Sequence, residues 1–153
     1  MPYNKIHNLY QIYHDQVQFK KNACVQKINQ LKSDVAGYRA QRAVLALSLS
    51  SQWQQLDGQA LSREAIFVIK RKEALLLANY NRIGLIIEEL KEIIISSEAE
   101  MADLNKVQIG YAKKKEKWSF LNKEVKRVRK RKVMSREELH INESLTCRME
   151  LLR

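Results

Sequence analysis

Glycine, proline and cysteine are all scarce in this sequence. Its 153 residues include four glycines, two cysteines and a single proline at position 2. Turns are built largely from glycine, proline, asparagine and aspartate, so four glycines cannot support the frequent turns of an all-β or βαβ fold. The two cysteines, Cys24 and Cys147, form no C-x-x-C or Cys/His cluster, so neither a disulfide framework nor a zinc site is expected. We therefore predict an all-α protein with reduced thiols, as is typical of the cytosol.

Signatures of membrane insertion, nucleotide binding and catalysis are also missing. No apolar run approaches the roughly 20 residues that span a bilayer, and residues 1–7 lack the apolar stretch of a signal peptide. There is no G-x-x-x-x-G-K loop, and no nucleophile–base pair stands out. The three histidines, His7, His14 and His140, are far apart in sequence, and His7 and His14 are more typical of exposed side chains than of metal ligands. We predict no transmembrane segment, no metal, no cofactor and no catalytic residue, and hence a protein that is not an enzyme.

Apolar residues recur at helical spacing along most of the chain. Steps of three and four residues from Ile6 to Leu56 follow a stripe in which four of fifteen positions are charged or carry an amide. A second stripe from Ile69 to Val125 is apolar at twelve of seventeen positions. A stripe sustained over this length is typical of a coiled coil. The pattern predicts two long helices, each with one apolar face.

One clear break separates the two stripes. Asp57 and Gly58 favour a turn because glycine adopts positive φ readily. Ser62 then offers a good N-cap, and Glu64 lies in the first turn of the next helix, where an anion suits the helix dipole. These signals predict helix 1 over about residues 3–56, a turn over about 57–61 and helix 2 over about 62–133.

Two such helices joined by a short turn are expected to fold back on each other. The chain is therefore predicted to be a single coiled-coil domain over 1–153, a long two-helix antiparallel hairpin with a longer, basic second helix. A turn centre near residue 59 would place position i opposite about 118 − i. Cys24 would then lie near residue 94, and residues beyond about 115 would have no counterpart on helix 1.

The last twenty residues leave alternatives open. Residues 135–138, Ser-Arg-Glu-Glu, form a capping box, so either helix 2 continues through this segment or a short third helix occupies 135–151. The apolar side of the segment has no intramolecular partner in the predicted register. It is either a fraying end or a docking helix, and the sequence favours neither.

The positive charge is concentrated in one place. The formal net charge is +11, and residues 113–132 alone hold eleven Lys and Arg against two Glu. Three interpretations compete: a solvated basic face, a nucleic-acid-binding segment, and a cationic helix that docks into an acidic protein cavity. Residues 125–132 contain no Asn or Gln, the residues that pair with adenine, so specific nucleic-acid recognition is not expected.

Two stretches carry a resemblance to a known family. Residues 61–64, Leu-Ser-Arg-Glu, followed by Ile66, Phe67 and the pair Arg71-Lys72, resemble the start of the second helix in the InvI/SpaM branch of type III secretion stalk proteins. Residues 113–118, Lys-Lys-Lys-Glu-Lys-Trp, are similar to the lysine-rich, tryptophan-containing stretch of the same branch. The chain is thus identified as a member of the SctO/FliJ-like family of central stalk proteins.

This resemblance implies a location and a set of partners. Family members are antiparallel coiled coils that lie in the cytoplasm at the base of the secretion apparatus, peripheral to the inner membrane. One end penetrates the hexameric secretion ATPase and promotes its assembly and activity, and the other contacts the cytosolic domain of the export gate. Some members also bind export chaperones. The alternative for this chain is a basic coiled-coil protein that binds nucleic acid or acts as a scaffold.

The resemblance also implies two sets of site residues. On the hairpin-tip side, the family's gate-binding face matches this chain at Gln41, Leu45, Phe67 and Ala74, although Arg71 stands where the family pattern has Leu. Each of Leu45 and Phe67 is equally compatible with simple packing of the hairpin. The ATPase-binding end is expected to use six bases near the end of the predicted second helix: Lys126, Arg127, Arg129, Lys130, Arg131 and Lys132.

Overall fold

The computed structural model describes residues 2–152, and two helices account for almost all of them. Helix α1 covers Pro2–Gln54 and helix α2 covers Arg63–Leu151. No strand occurs among the described residues. The predicted all-α helical hairpin is therefore confirmed. Helix α2 continues without interruption through residues 135–138, so the capping-box sequence does not begin a separate helix.

The connection between the helices uses the residues that the sequence indicates. Gly58 has a φ of 79°, in the left-handed region that glycine adopts without strain. The Ser62 hydroxyl accepts a hydrogen bond from the Ala65 amide at 3.2 Å, which caps α2 as predicted. The amide of Gln55 still donates to the Ser51 carbonyl at 3.1 Å, so α1 closes with a normal helical bond. The non-helical connection is longer than predicted and covers residues 55–62.

The described chain divides into two compact units. One consists of residues 20–105, and the other of residues up to 19 together with those from 106 onward. The first unit has an aliphatic core of Val35, Ile83 and Ile87. Four partly buried side chains pack against this core: Tyr38, Leu45, Leu90 and Ile94. Because branched aliphatic side chains fill the space between the helices, burial of this surface stabilises the unit.

The helix register in this first unit differs from the predicted one. The buried Cys24 thiol donates to the carbonyl of Ser97 at 3.3 Å, so Cys24 lies opposite residue 97 rather than residue 94. Gln52 donates to the Ile69 carbonyl at 3.2 Å, in agreement with the same shift. The cause is the longer connection, which moves the centre of the turn beyond residue 59.

The absence of a side chain at Gly84 on α2 leaves space for the Arg42 guanidinium of α1. The Arg42 guanidinium lies 4.2 Å from the centre of the Tyr80 ring, in a cation–π arrangement. A Cβ added to Gly84 would come within 3.1 Å of the Arg42 Nη2 atom. Gly37 and Gly110 also lie inside helices, but a Cβ added at either position would meet nothing within 4 Å.

Replacing these helical glycines with alanine should distinguish the effect of helix propensity from the effect of the Arg42–Tyr80 contact beside Gly84. Gly37→Ala and Gly110→Ala should each raise the free energy of unfolding by about 0.5–1 kcal/mol, because glycine is a weak helix former and the added methyl meets no neighbour. Gly84→Ala should raise the free energy of unfolding by clearly less, since the added methyl moves the Arg42 guanidinium away from Tyr80. Urea unfolding followed by circular dichroism measures all three. An equal gain at Gly84 would show that the Arg42–Tyr80 contact contributes nothing to stability.

The second unit is held by aromatic and amide side chains. Tyr10, Tyr13 and Tyr111 form a cluster with ring centres 5.5–6.3 Å apart. Tyr3 stacks on Trp118 at 5.8 Å. Aromatic pairs of this kind add stability beyond the area they bury. The amino-terminal part of α1 therefore pairs with residues 111–118 of α2.

Amide pairs extend this contact further along α2 than the sequence suggested. Gln108 donates to Gln18, and Asn122 donates to Asn4. The predicted register left residues beyond about 115 without a counterpart, and that limit is wrong because Trp118 and Asn122 both contact α1. From residue 126 onward every described side chain of α2 is exposed. We call residues 126–152 the overhang.

Candidate partner-binding surfaces

The six bases assigned to ATPase binding lie at the start of the overhang. All six are exposed. Arg127 forms an ion pair with Glu124 at 2.7 Å, and within residues 2–152 the other five make no ion pair. Exposed unpaired bases remain hydrated and attract anions over a Debye length of about 8 Å at physiological salt. The segment is therefore a compact cationic surface whose charges are available to a partner.

The lysines that precede the overhang have a different setting. The Lys114 ammonium lies 5.5 Å from the centre of the Tyr10 ring. Asp15 on α1 accepts a hydrogen bond from the Gln11 amide at 2.9 Å, and His14 Nδ1 lies 3.4 Å from the same carboxylate oxygen. These bonds, with a smaller contribution from the charge of Lys115, hold the pKa of Asp15 below its ordinary value. The Lys114 ammonium thus contacts a side chain of α1, unlike the six bases of the overhang.

Two of the residues assigned to gate binding line one surface groove. Gln41 and Leu45 lie with Ala40 and Val44 on α1, and Asn79, Arg82 and Ile83 complete the groove from α2. The groove has a volume of about 520 Å³. Leu45 also packs against the aliphatic core, so its apolar tip stabilises the hairpin. Gln41 is exposed and has no such structural role.

Phe67 and Ala74 do not line this groove. Both are exposed on α2, and Phe67 lies close to the connection, with the Arg63 guanidinium 5.8 Å from its ring centre. The structure therefore brings Gln41 and Leu45 together but does not add Phe67 and Ala74 to the same groove. Sequence analysis missed Asn79 and Arg82 as groove residues, because only the register of the two helices reveals which part of α2 faces Gln41.

Two other kinds of site are absent from residues 2–152. Within residues 2–152, no three His, Cys, Asp or Glu side chains converge as metal ligands would. Neither helix of the described chain has an apolar stretch long enough to cross a membrane. The surfaces with distinctive chemistry are thus the basic segment and the groove beside Gln41.

These features define a class: an all-α helical hairpin with an exposed basic segment. A family model described as Salmonella surface presentation of antigen gene type M protein matches residues 4–145 of the chain. The chain therefore belongs to this family, and it is a type III secretion-associated protein. The predicted relationship to the InvI/SpaM branch is confirmed. No curated protein and no solved structure matches the chain.

Proposed function

We propose that this protein is a non-enzymatic stalk of a type III secretion apparatus. In this role it links the hexameric secretion ATPase to the cytosolic domain of the export gate and promotes assembly and activity of the ATPase. It acts in the cytoplasm, peripheral to the inner membrane at the base of the apparatus, and export chaperones are a further class of partner. The observation that supports the proposal is the exposed basic segment, in a chain whose family is one of secretion-apparatus proteins.

The chemistry of the segment suits entry into an acidic ring. Six positive charges within seven residues create a strong local potential. A cavity lined with carboxylates would attract this segment, accelerate docking and orient the stalk. Because the bases are solvated, salt should weaken the interaction through screening. The segment would therefore provide steering and orientation more than buried contact area.

Titration of the secretion ATPase tests the proposal directly. We expect this protein to raise the hydrolysis rate of the ATPase from the same organism at physiological salt. The rise should saturate near one stalk per six ATPase chains, since a single helix hairpin fills a central channel. A flat titration of a demonstrably active ATPase would contradict the stalk assignment.

A nucleic-acid control separates the main alternative from the proposal. Binding of random duplex DNA through phosphate contacts should weaken steeply between low and physiological salt. We expect no more than this non-specific behaviour, with the ATPase preferred at both salt concentrations. Tight DNA binding that persists at physiological salt would favour the nucleic-acid-binding alternative instead.

The proposed gate contact predicts a loss of binding at two exposed positions. Gln41→Ala and Phe67→Ala should each weaken binding to the cytosolic domain of the export gate about tenfold, the size expected for a central contact. Neither side chain is buried, so the helical content should stay unchanged. Isothermal titration calorimetry measures the affinity. Leu75→Ala is the matched control, because Leu75 is 62% exposed on α2 and Phe67 is 60% exposed.

The pattern of losses locates the gate surface. A loss of affinity in the Gln41 variant alone would restrict the gate-binding surface to the groove. A loss of affinity in the Phe67 variant alone would restrict it to the region near the connection between the helices. Full affinity in both variants, or an equal loss in the Leu75 control, would contradict the assignment of these residues.

A further inference from the structure

The groove beside Gln41 combines an apolar floor with polar side chains at its edge. Leu45 and Ile83 belong to the packed interior of the hairpin, and Ala40 and Val44 complete the apolar part of the groove. Val44 is 61% exposed, so much of this apolar surface is in contact with water. A volume of about 520 Å³ lies within the range of pockets that hold small organic groups. The groove therefore has room for an apolar side chain of a partner.

Three polar side chains line the groove and are free of intramolecular partners. They are Gln41 on α1 and Asn79 and Arg82 on α2, and all three are exposed. The Arg82 guanidinium forms no ion pair within residues 2–152. Neither amide side chain is hydrogen-bonded to another described residue. All three groups are thus available to a binding partner.

Arg82 gives the groove its charge. Residues 35–54 and 74–87 contain three arginines, Arg39, Arg42 and Arg82, and no acid. Arg39 and Arg42 do not line the groove, and Arg42 is held over an aromatic ring by its cation–π contact. Among the described residues that line the groove, Arg82 is the only charged one. The groove therefore presents a single positive charge beside an apolar floor.

No carboxylate of the described chain pairs with Arg82. The nearest acids on α2, Glu88 and Glu89, are six and seven residues away, or about 10 Å along the helix axis. Lys91 forms an ion pair with Glu88 at 2.7 Å, and this hydrogen bond holds the pKa of Glu88 below its ordinary value. On α1, Asp34 accepts a hydrogen bond from an amide of its own helix at 3.0 Å. The charge of Arg82 is therefore exposed to solvent and available to an external anion.

We propose that the groove binds a segment of the cytosolic domain of the export gate in which an Asp or Glu lies beside a large apolar side chain. The carboxylate pairs with Arg82, whose planar guanidinium matches two carboxylate oxygens. The apolar side chain covers Val44 and the floor of the groove. Gln41 and Asn79 can donate to and accept from the backbone of the bound segment. This inference rests on the proposed gate contact and adds to it Asn79, Arg82 and the chemistry of the partner.

The surroundings of Arg82 favour a single carboxylate over a polyanion. Nucleic acid is bound through many phosphate contacts, each of which needs a base, and the groove contains one base beside exposed apolar surface. Protein interfaces, in contrast, are enriched in arginine and depleted of other charges at their centre. Arginine is also frequent among the residues whose truncation costs most of the binding energy. An acidic protein segment therefore fits the groove better than a nucleic acid does.

Calorimetric titration with the purified cytosolic domain of the gate tests the role of Arg82. Arg82→Gln should weaken binding about tenfold, and Arg82→Glu should weaken it further because two carboxylates then face each other. Arg82→Lys keeps the charge without the planar fork, so its loss should be smaller than that of Arg82→Gln. The native affinity should also fall more steeply with salt than the affinity of Arg82→Gln, since the variant lacks one charge pair.

Arg39→Glu is the matched control for Arg82→Glu. It makes the same change of charge at another exposed position of the same part of the hairpin, but Arg39 does not line the groove. We expect its gate affinity to stay within about twofold of the native value at physiological salt, because screening weakens interactions between distant exposed charges. Circular dichroism should report native helical content in all of these variants, since both side chains are exposed.

Asn79→Asp tests the groove without removing Arg82. The substitution keeps the shape of the side chain and places a carboxylate three residues from Arg82, where opposite charges on a helix attract each other. The new carboxylate should compete with that of the gate, so we expect a loss of affinity similar to that of Arg82→Gln. Single Asp→Asn and Glu→Gln variants of the gate domain then identify its carboxylate. One of them should weaken binding to the native protein and cause little further loss with Arg82→Gln, as a double-mutant cycle measures.

The outcomes distinguish this inference from the proposed function. A native protein that does not bind the gate domain would contradict the gate contact, and the inference would fail with it. Native binding that Arg82→Glu leaves unchanged, or that Arg39→Glu weakens equally, would contradict the inference alone. Unchanged gate affinity together with weaker binding of an export chaperone would assign the groove to a different partner, and the inference would again be wrong.

Discussion

A variant with glutamate in place of the six exposed bases of the overhang is expected not to stimulate the secretion ATPase. The positions are Lys126, Arg127, Arg129, Lys130, Arg131 and Lys132. Reversal changes the charge of this segment from +6 to −6. Attraction to a carboxylate-lined channel then becomes repulsion of similar magnitude, which opposes both encounter and docking. The measurement is the ATPase hydrolysis rate as the variant is titrated at physiological salt.

Folding should not be affected by this reversal. Every one of the six side chains is exposed, and the residues that pack the hairpin lie elsewhere. Circular dichroism should therefore report the native helical content. A matched control exchanges Lys for Arg, and Arg for Lys, at the same six positions, which retains the charge. We expect this control to stimulate the ATPase, and stimulation that survives in the glutamate variant would contradict the electrostatic role.

Ile87→Ala should cause the largest loss of stability that a single truncation can produce in residues 20–105. Ile87 is 3% exposed and belongs to the core cluster with Val35 and Ile83. Removing three buried carbons loses their transfer free energy and leaves a cavity that two rigid helices cannot close. We expect a loss of about 2–5 kcal/mol in the free energy of unfolding. Urea unfolding monitored by circular dichroism at 222 nm measures this quantity.

The control for Ile87 lies two turns further along the same helix. Ile95 is 66% exposed, so Ile95→Ala removes the same atoms from the same secondary structure without opening a cavity. We expect a change within about 0.5 kcal/mol, as is usual for exposed positions. Equal losses at the two positions would show that the packing of the helices against each other does not stabilise this unit.

The helical fold follows from local features that the sequence displays openly. Glycine is scarce, and the only proline is the first residue of α1, so nothing interrupts the helices except the Asp57-Gly58 turn. Ser62 caps α2 and Gly58 adopts a positive φ, as sequence analysis predicted. Caps and turns depend on a few adjacent residues, which is why they could be predicted without tertiary information.

The register was harder to predict because a heptad pattern permits several alignments. Shifting one helix along another by a few residues still pairs apolar side chains with apolar side chains. The structure places Cys24 opposite Ser97 and Asn4 opposite Asn122, where small and amide side chains fit together. These specific contacts, and the length of the connection, select one alignment. The predicted limit of helix pairing near residue 115 was wrong for this reason.

Of the two candidate surfaces, one could be predicted from the sequence and the other depends on the helix register. The basic run is visible in the sequence, since its charges are contiguous. The groove beside Gln41 is not, because Asn79 and Arg82 join it only through the register of α1 and α2. Phe67 and Ala74 were grouped with Gln41 by a family pattern alone, and the structure does not place them in that groove.

Sequence alone therefore determined that this protein is helical, that it folds back once, and that its charge is concentrated towards the end of the second helix. These properties arise from residue types and their spacing, which act locally along the chain. Only the tertiary structure determined which residues face each other and that the bases from Lys126 to Arg148 are all exposed. Such properties depend on how two surfaces fit together, and that fit is set by packing of side chains from distant parts of the chain.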